Sequence, residues 1–487
     1  MIFIDGTAVN VALPVMQHEL NATAAGLQWI IESYTLFLSA LLLVGGVLGD
    51  RFGRREVFVT GIVVFTLSSA LCAASPSLSV LIAARCLQGI GAALATPGSL
   101  ALITAAYTGE ERGRAIGVWS AFSAMTAALG PVLGGWLTQS FSWRAVFLIN
   151  LPLGAAVAAI APLCVTESRD EGAPKSIDVV GAALATFGLG ALVYALIRLQ
   201  TTHDAFAGVA CVAGLAMLAA FIAYERIGTN NPMIRPDLFR VPAFTGANLY
   251  TALLYAGLSG SLYFVPFDLI NVQGYSPLDA GAALLPMIAI MFVGSRWAGG
   301  LVARIGARIP LVTGAAVATV GFAAFAIPEV AQSYWTSFFP PVVILGIAGT
   351  FFVAPLTTAV MDAAPSHEAG AASGINNAVS RTAGLIAIAA LGIALATAFD
   401  AELSRQLVRF QVTPATSAIV EQREADVLSG GAFDLPSASD VQAAKRAIQV
   451  AYVSGFRVAM LLAAFLALCA ALIAARWDWR LRYEASG

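Results

Sequence analysis

Residues 46–55 read GVLGDRFGRR, and their reading decides the fold. The stretch closes a long apolar run and places Asp50, Arg51, Arg54 and Arg55 within six residues. Two accounts compete. Lys and Arg collect in the loops of membrane proteins that stay inside the cell, so the stretch can be a basic cap on a helix end. It can equally be a charged hairpin in which Gly46 and Gly53 let two helices turn tightly while Asp50 points at a partner. Either account needs apolar spans on both sides.

The rest of the chain supplies them. It has 487 residues, 59% hydrophobic and 11% charged, with a mean hydropathy of +0.82. A soluble domain carries about 25% charged residues, so this chain has less than half the usual charge. Repeated apolar runs, each of the roughly 20 residues needed to cross a bilayer, predict an all-α polytopic membrane protein. The net charge of −2 argues against a nucleic-acid partner. Cys72, Cys86, Cys164, Cys211 and Cys469 all lie in apolar runs and form no CxxC pair, so they read as packing residues. His18, His203 and His367 stand singly, and no metal centre is expected.

Spans are predicted near 27–48, 57–74, 78–100, 115–138, 145–165, 178–197, 206–225, 244–266, 281–303, 309–328, 337–360, 376–398 and 450–475. With a short first span over 1–17, that makes fourteen. Three readings are open for the polar residues inside them. Glu32 is costly within a span and faces a cavity or partner, or else reaches the interface five residues away. Arg85 stays charged at any accessible pH, so it cannot carry a proton; it biases a nearby carboxylate, or it pairs structurally with a carbonyl or acid. Glycines along 115–138 admit a close neighbouring helix, and Pro131 bends their helix.

The order of these features resembles the major facilitator superfamily. Gly46-x3-Asp50-x2-Gly53-Arg54-Arg55 between spans 2 and 3 is similar to its signature loop, and Arg85 followed by Gln88-Gly89-Ile90-Gly91 is similar to its span-4 motif. Gly117-x8-Thr126-x3-Gly130-Pro131-x2-Gly134-Gly135 resembles the span-5 antiporter motif of drug exporters, with Thr126 where glycine is usual. Ile4-Asp5-Gly6-Thr7-Ala8-Val9-Asn10 resembles the first-span motif of the fourteen-helix drug:proton antiporters, although only four residues precede Asp5. The expectation from that shortfall is an upstream start that completes span 1.

The resemblance implies two six-helix halves, 1–165 and 243–487, with two additional spans in 166–242 and an outside loop at 400–449. It implies proton coupling through Glu32, Asp5 and Arg85, with Glu32 as the coupling site and Asp5 as its partner. It implies gating by the loop residues Gly46, Asp50, Arg51, Gly53, Arg54 and Arg55, with Asp50 latched on the start of span 13 near 372–375. No cofactor follows from it, and a monomer is expected.

Faint internal repetition agrees with two halves. Gly299-x3-Ala303-x2-Gly306-x-Arg308 follows the glycine spacing of the signature loop without its acid, and Gly346 and Glu368-x-Gly370 echo Gly89 and Glu111-x-Gly113. Such repeats mark transporters with a midplane site between halves. Short loops on the side of Arg54 hold 12 Lys and Arg, against Arg144 and Arg198 opposite, so both termini are expected in the cytoplasm.

Function narrows accordingly. Neither of the two lysines, Lys175 and Lys445, lies in a phosphate-cradling context, and no nucleophile–base pair stands out, so an ATP-driven pump or an enzyme is not expected. The reading is a proton-coupled exporter of amphipathic, cationic small molecules in the cytoplasmic membrane. The alternatives are a metabolite or lipid exporter, or a sensor on the same scaffold. Tyr34, Phe37, Phe122, Met125, Tyr255 and Phe264 could line a greasy cavity, although helix packing explains each as well.

Overall fold

The computed structural model describes the chain except residues 108, 170–177, 200–204, 229–235, 300–304, 365–368, 423–437 and 478–487. The described residues are almost wholly helical and include no strand. The principal helices are α1 (Ile2–Leu20), α2 (Ala24–Phe52), α3 (Arg54–Ala74), α4 (Leu78–Ala106), α5 (Gly109–Ser140) and α6 (Asn150–Cys164). They continue with α7 (Val179–Arg198), α8 (Ala205–Ala223), α9 (Pro242–Phe267), α10 (Leu285–Gly299), α11 (Arg308–Ala324), α12 (Phe339–Asp362), α13 (Ala369–Arg409) and α14 (Ala438–Arg476).

Among the described residues, eleven helices are long and apolar enough to cross a membrane. The expected fourteen therefore exceeds what length and composition alone support. Helices α1, α5 and α11 fall outside the set, α11 because it has only 17 residues.

Small residues bring the helices close. A Cβ at Gly89 of α4 would lie 2.5 Å from the Tyr34 carbonyl oxygen on α2, and one at Gly91 the same distance from the Phe65 amide nitrogen on α3. Only glycine permits backbones to approach like this. Helices α1 to α6 form one bundle and α9 to α14 a second. Asn376 of α13 clamps that second bundle by donating to Thr251 Oγ1 at 2.7 Å and Asn248 Oδ1 at 3.2 Å on α9.

The halves meet along two seams. Leu36 and Ala40 of α2 share a buried cluster with Leu385 and Ala389 of α13, and Leu189, Val193 and Ile197 of α7 complete it. One of the two additional helices is thus wedged at the seam. The other, α8, presents Phe206, Val209 and Val212 outward, as a lipid-facing helix does. At the second seam α5 meets the short helix Pro277–Ala282. A Cβ on Gly135 would collide with the Pro277 carbonyl, and one on Gly281 with the Pro131 carbonyl.

The described ends of the 400–449 segment extend the neighbouring helices. Helix α13 runs on to Arg409, Pro414–Gln422 forms a further helix, and α14 begins at Ala438. Thr416 Oγ1 donates to Asp440 Oδ2 at 2.8 Å, tying the extension to the start of α14.

Candidate transport site

Asp5 lies in the first turns of α1, and its carboxylate is the centre of a polar cluster drawn from four helices. Arg85 of α4 donates to Asp5 Oδ2 at 2.6 Å, and both side chains are 0% exposed. Gln88, one turn further along α4, donates to Asp5 Oδ1 at 3.0 Å, and Asn150 of α6 donates to the same oxygen at 3.2 Å. Ser69 of α3 accepts from Gln88 at 2.6 Å and from Asn150 at 3.2 Å. Arg85 Nη1 also donates to Gln88 Oε1 at 2.6 Å, and Nε donates to the Ile30 carbonyl of α2 at 3.0 Å. The guanidinium lies over the Tyr34 ring, 4.2 Å from its centroid.

This geometry has a clear electrostatic sense. A charged group removed from water is tolerated when it is paired and its remaining valences are met. Asp5 accepts three hydrogen bonds, one of them from a fixed cation. Arg85 thus touches both an acid and a backbone carbonyl. Sequence reasoning placed Asp5 and Arg85 in one site but paired Asp5 with Glu32; among the described hydrogen bonds none joins those two acids. Gln88 sat in the quoted motif without a role, while Ser69 and Asn150 carried no signal as single polar residues in apolar runs.

The 46–55 hairpin is built around Glu167, which lies between the spans predicted at 145–165 and 178–197. Gly53 adopts φ +122°, which side chains rarely permit, and a Cβ there would meet the Glu167 carboxyl carbon at 2.8 Å. Glu167 occupies that space. It accepts from the amides of Arg55 at 3.0 Å and Glu56 at 3.2 Å, the first turn of α3. The Arg54 amide donates to the Ser168 carbonyl at 3.0 Å, and Arg55 Nη1 to the Val165 carbonyl at 3.1 Å. A helix start has unbonded amides and favours an anion. Partial burial raises the Glu167 pKa, but the amides of Arg55, Ser168 and Glu56 outweigh it and hold the acid below the ordinary 4.5. Asp50 bonds Arg54 at 2.7 Å, and its side chain remains 36% exposed. The expected seat of Asp50 near 372–375 lies in the first turns of α13, and among the described hydrogen bonds Asp50 accepts from Arg54 alone. Gly46 and Arg51 sit on the last turns of α2, Arg51 beside the Phe52 ring at 4.9 Å.

The span-5 glycines turn towards α1. A Cβ on Gly134 would lie 2.5 Å from the Ala8 carbonyl oxygen, and one on Gly130 would overlap Thr7. Gly117 lies on the same helix. Gly130 and Gly134 thus press α5 against the helix that carries Asp5, while Pro131 and Gly135 face the second bundle. Residues 1–388 match the sequence profile of the Major Facilitator Superfamily. The chain belongs to that superfamily.

This facilitator is 36% identical over 422 residues to the multidrug resistance protein Stp of Mycobacterium tuberculosis (strain CDC 1551 / Oshkosh), covering 84% of this chain and 76% of that protein. It is 32% identical over 410 residues to the tetracenomycin C resistance and export protein of Streptomyces glaucescens, covering 82% and 74%. Its fold is similar to a bacterial homolog of the human lysosomal transporter Spinster, in an inward-facing and unoccupied conformation. There the TM-score is 0.62 at 18% identity, over 97% of this chain and 93% of the other. Identity that low speaks to fold alone. The facilitator is a multi-pass membrane transporter rather than an enzyme, and relatives named for resistance and export support an exporter.

Glu32 occupies a different setting in the facilitator. It is 0% exposed, and neither carboxylate oxygen has a hydrogen-bond partner. Tyr263 of α9, in the other half, is close enough to interact with it electrostatically. Of the aromatic residues considered for a cavity, Tyr34 is buried beside Arg85, Tyr255 stacks edge-on to Phe352 at 6.2 Å, Phe264 is buried against Tyr263, and Phe122 is exposed.

Proposed function

We propose that this facilitator exports amphipathic, chiefly cationic compounds across the cytoplasmic membrane in exchange for protons. It would work as a monomer with fourteen spans and both termini in the cytoplasm. The observation that supports the exchange is the contrast between two enclosed carboxylates. Asp5 has a cation and two amide donors and suits a permanent negative charge. Glu32 has neither cation nor donor and suits the neutral acid, since an unpaired buried charge costs several kcal/mol, about 3–5 when a partner is missing.

Two carboxylates kept in opposite states are the usual basis for moving a proton. Glu32 takes a proton from the outer side and keeps it while enclosed. A cationic substrate arriving from the inside favours the ionised form, and the proton leaves to the cytoplasm. Proton and substrate compete for one site, which suffices for antiport. Arg85 anchors Asp5 and carries no proton.

Reconstituted vesicles test this. With an imposed pH gradient, Glu32→Gln should abolish proton-driven movement of both a cationic dye and a matched neutral one. Persistent movement of the neutral dye alone would make Glu32 a cation-recognition residue and place coupling elsewhere.

A further inference from the structure

Arg381 stands alone. Among the described residues no carboxylate pairs with it, and its Nε is enclosed without a hydrogen-bond partner. It lies twelve residues into α13 from Ala369 and inside the apolar stretch Gly374–Arg409. An unpaired guanidinium there is expensive, and such residues mark ligand pathways.

Its surroundings fix where it points. Ala378 packs against the cluster of Tyr34, Leu38 and Leu42 on α2, and Leu385 against Leu36 and Ala40. Residues 378, 381 and 385 share one helix face, so Arg381 is carried on the face of α13 that meets α2. Tyr34 interacts electrostatically with it across the seam. The Tyr34 hydroxyl is enclosed and also has no partner. Behind Tyr34 lies Arg85, already neutralised by Asp5. Asp5 and Arg85 offset one another, so with Glu32 protonated, as in the exchange reading, Arg381 leaves one positive charge in excess beside the unused phenol of Tyr34.

We propose that Arg381 and Tyr34 form the anion-accepting end of the substrate site, taking a carboxylate or ionised enol on an otherwise amphipathic molecule. This rests on the exporter reading and narrows it: preferred substrates carry an anionic oxygen in addition to any cationic group. The guanidinium supplies charge and paired donors, and the phenol supplies a third donor from the opposite half. Because the two residues lie on α13 and α2, a bound anion bridges the halves.

Binding to the purified full-length protein in detergent, read by fluorescence anisotropy without any pH gradient, tests this. The probes are a xanthene dye carrying a free benzoate and its methyl ester, which differ only in the anionic oxygen. The wild type should bind the acid about tenfold or more tightly than the ester, as a charge-assisted pair implies. Arg381→Gln should erase that preference while leaving ester affinity within about twofold. Tyr34→Phe should reduce the preference several-fold, and Arg381→Lys should keep part of it. Size-exclusion profiles check that each variant is folded. No preference in the wild type, a preference surviving in Arg381→Gln, or equal loss of both dyes in that variant overturns the proposal. The assay is blind to proton coupling, so its failure leaves the Glu32 exchange reading standing, and failure of the vesicle test leaves this site standing.

Discussion

Arg85 and Asp5 meet at 2.6 Å with both side chains out of solvent, although 80 residues separate them. Removing one member of such a pair strands the other charge. Asp5→Ala and Arg85→Ala should each lower stability by about 3–5 kcal/mol. The double variant should cost clearly less than the sum, because no lone charge remains. Thermal unfolding of the detergent-purified proteins checks both statements; additive losses would mean that the two residues are not coupled.

Arg85→Lys should fail to restore the site. Lysine supplies a point charge but cannot donate at once to Asp5, Gln88 and the Ile30 carbonyl from one planar fork. Exchange in vesicles should fall about tenfold or more, roughly one lost charge-assisted bond. Wild-type exchange in this variant would show that charge alone suffices.

The Glu167 clasp should respond to acid. Its folded pKa is depressed, so its contribution is complete above the unfolded value near 4.5 and disappears as pH falls through the lower folded value. A spin-label pair across Arg169 and Phe52 should report a fixed distance at neutral pH and a broadened one in acid. Glu167→Gln should show the broadened distribution at every pH. An unchanged distance in that variant would leave the clasp to the Ser168 and Val165 carbonyls.

Asp50 has spare accepting capacity beyond Arg54, and its side chain is 36% exposed. The expected latch uses that capacity on the amides that open α13. Asp50→Asn should impair transport at undiminished expression. Normal transport in this variant would leave Asp50 as part of a basic cap.

Topology can be read directly. Reporter fusions after Arg55 and Lys175 should mark the cytoplasm, and one at Gly430 the exterior, as the arginine asymmetry requires. A cytoplasmic signal at Gly430 would break the fourteen-span arrangement.

The all-helical membrane class was legible because hydropathy repeats on a scale that sequence displays. The clustered glycines and charges of 46–55 and the Arg85–Gln88 turn marked two site elements, since neighbours on one turn share a face. What stayed hidden was pairing at long range. Nothing periodic links Asp5 to Arg85 rather than to Glu32, or Gly53 to Glu167. Asn150 and Ser69 were single polar residues in apolar runs, indistinguishable from solvated span ends until four helices met around them. Arg381 was overlooked for the opposite reason: its span is so apolar that one charge did not interrupt it.

The contact between Gly135 and Pro277, and its counterpart between Gly281 and Pro131, is made by backbone against backbone. Among the described residues no ion pair crosses that seam. A closure of this kind is a fit of shapes, and dissolved electrolyte has nothing there to screen. The frequency with which the two bundles part should therefore be indifferent to ionic strength. It should respond instead to bulk: a single added methyl group at Gly135 would wedge the bundles apart.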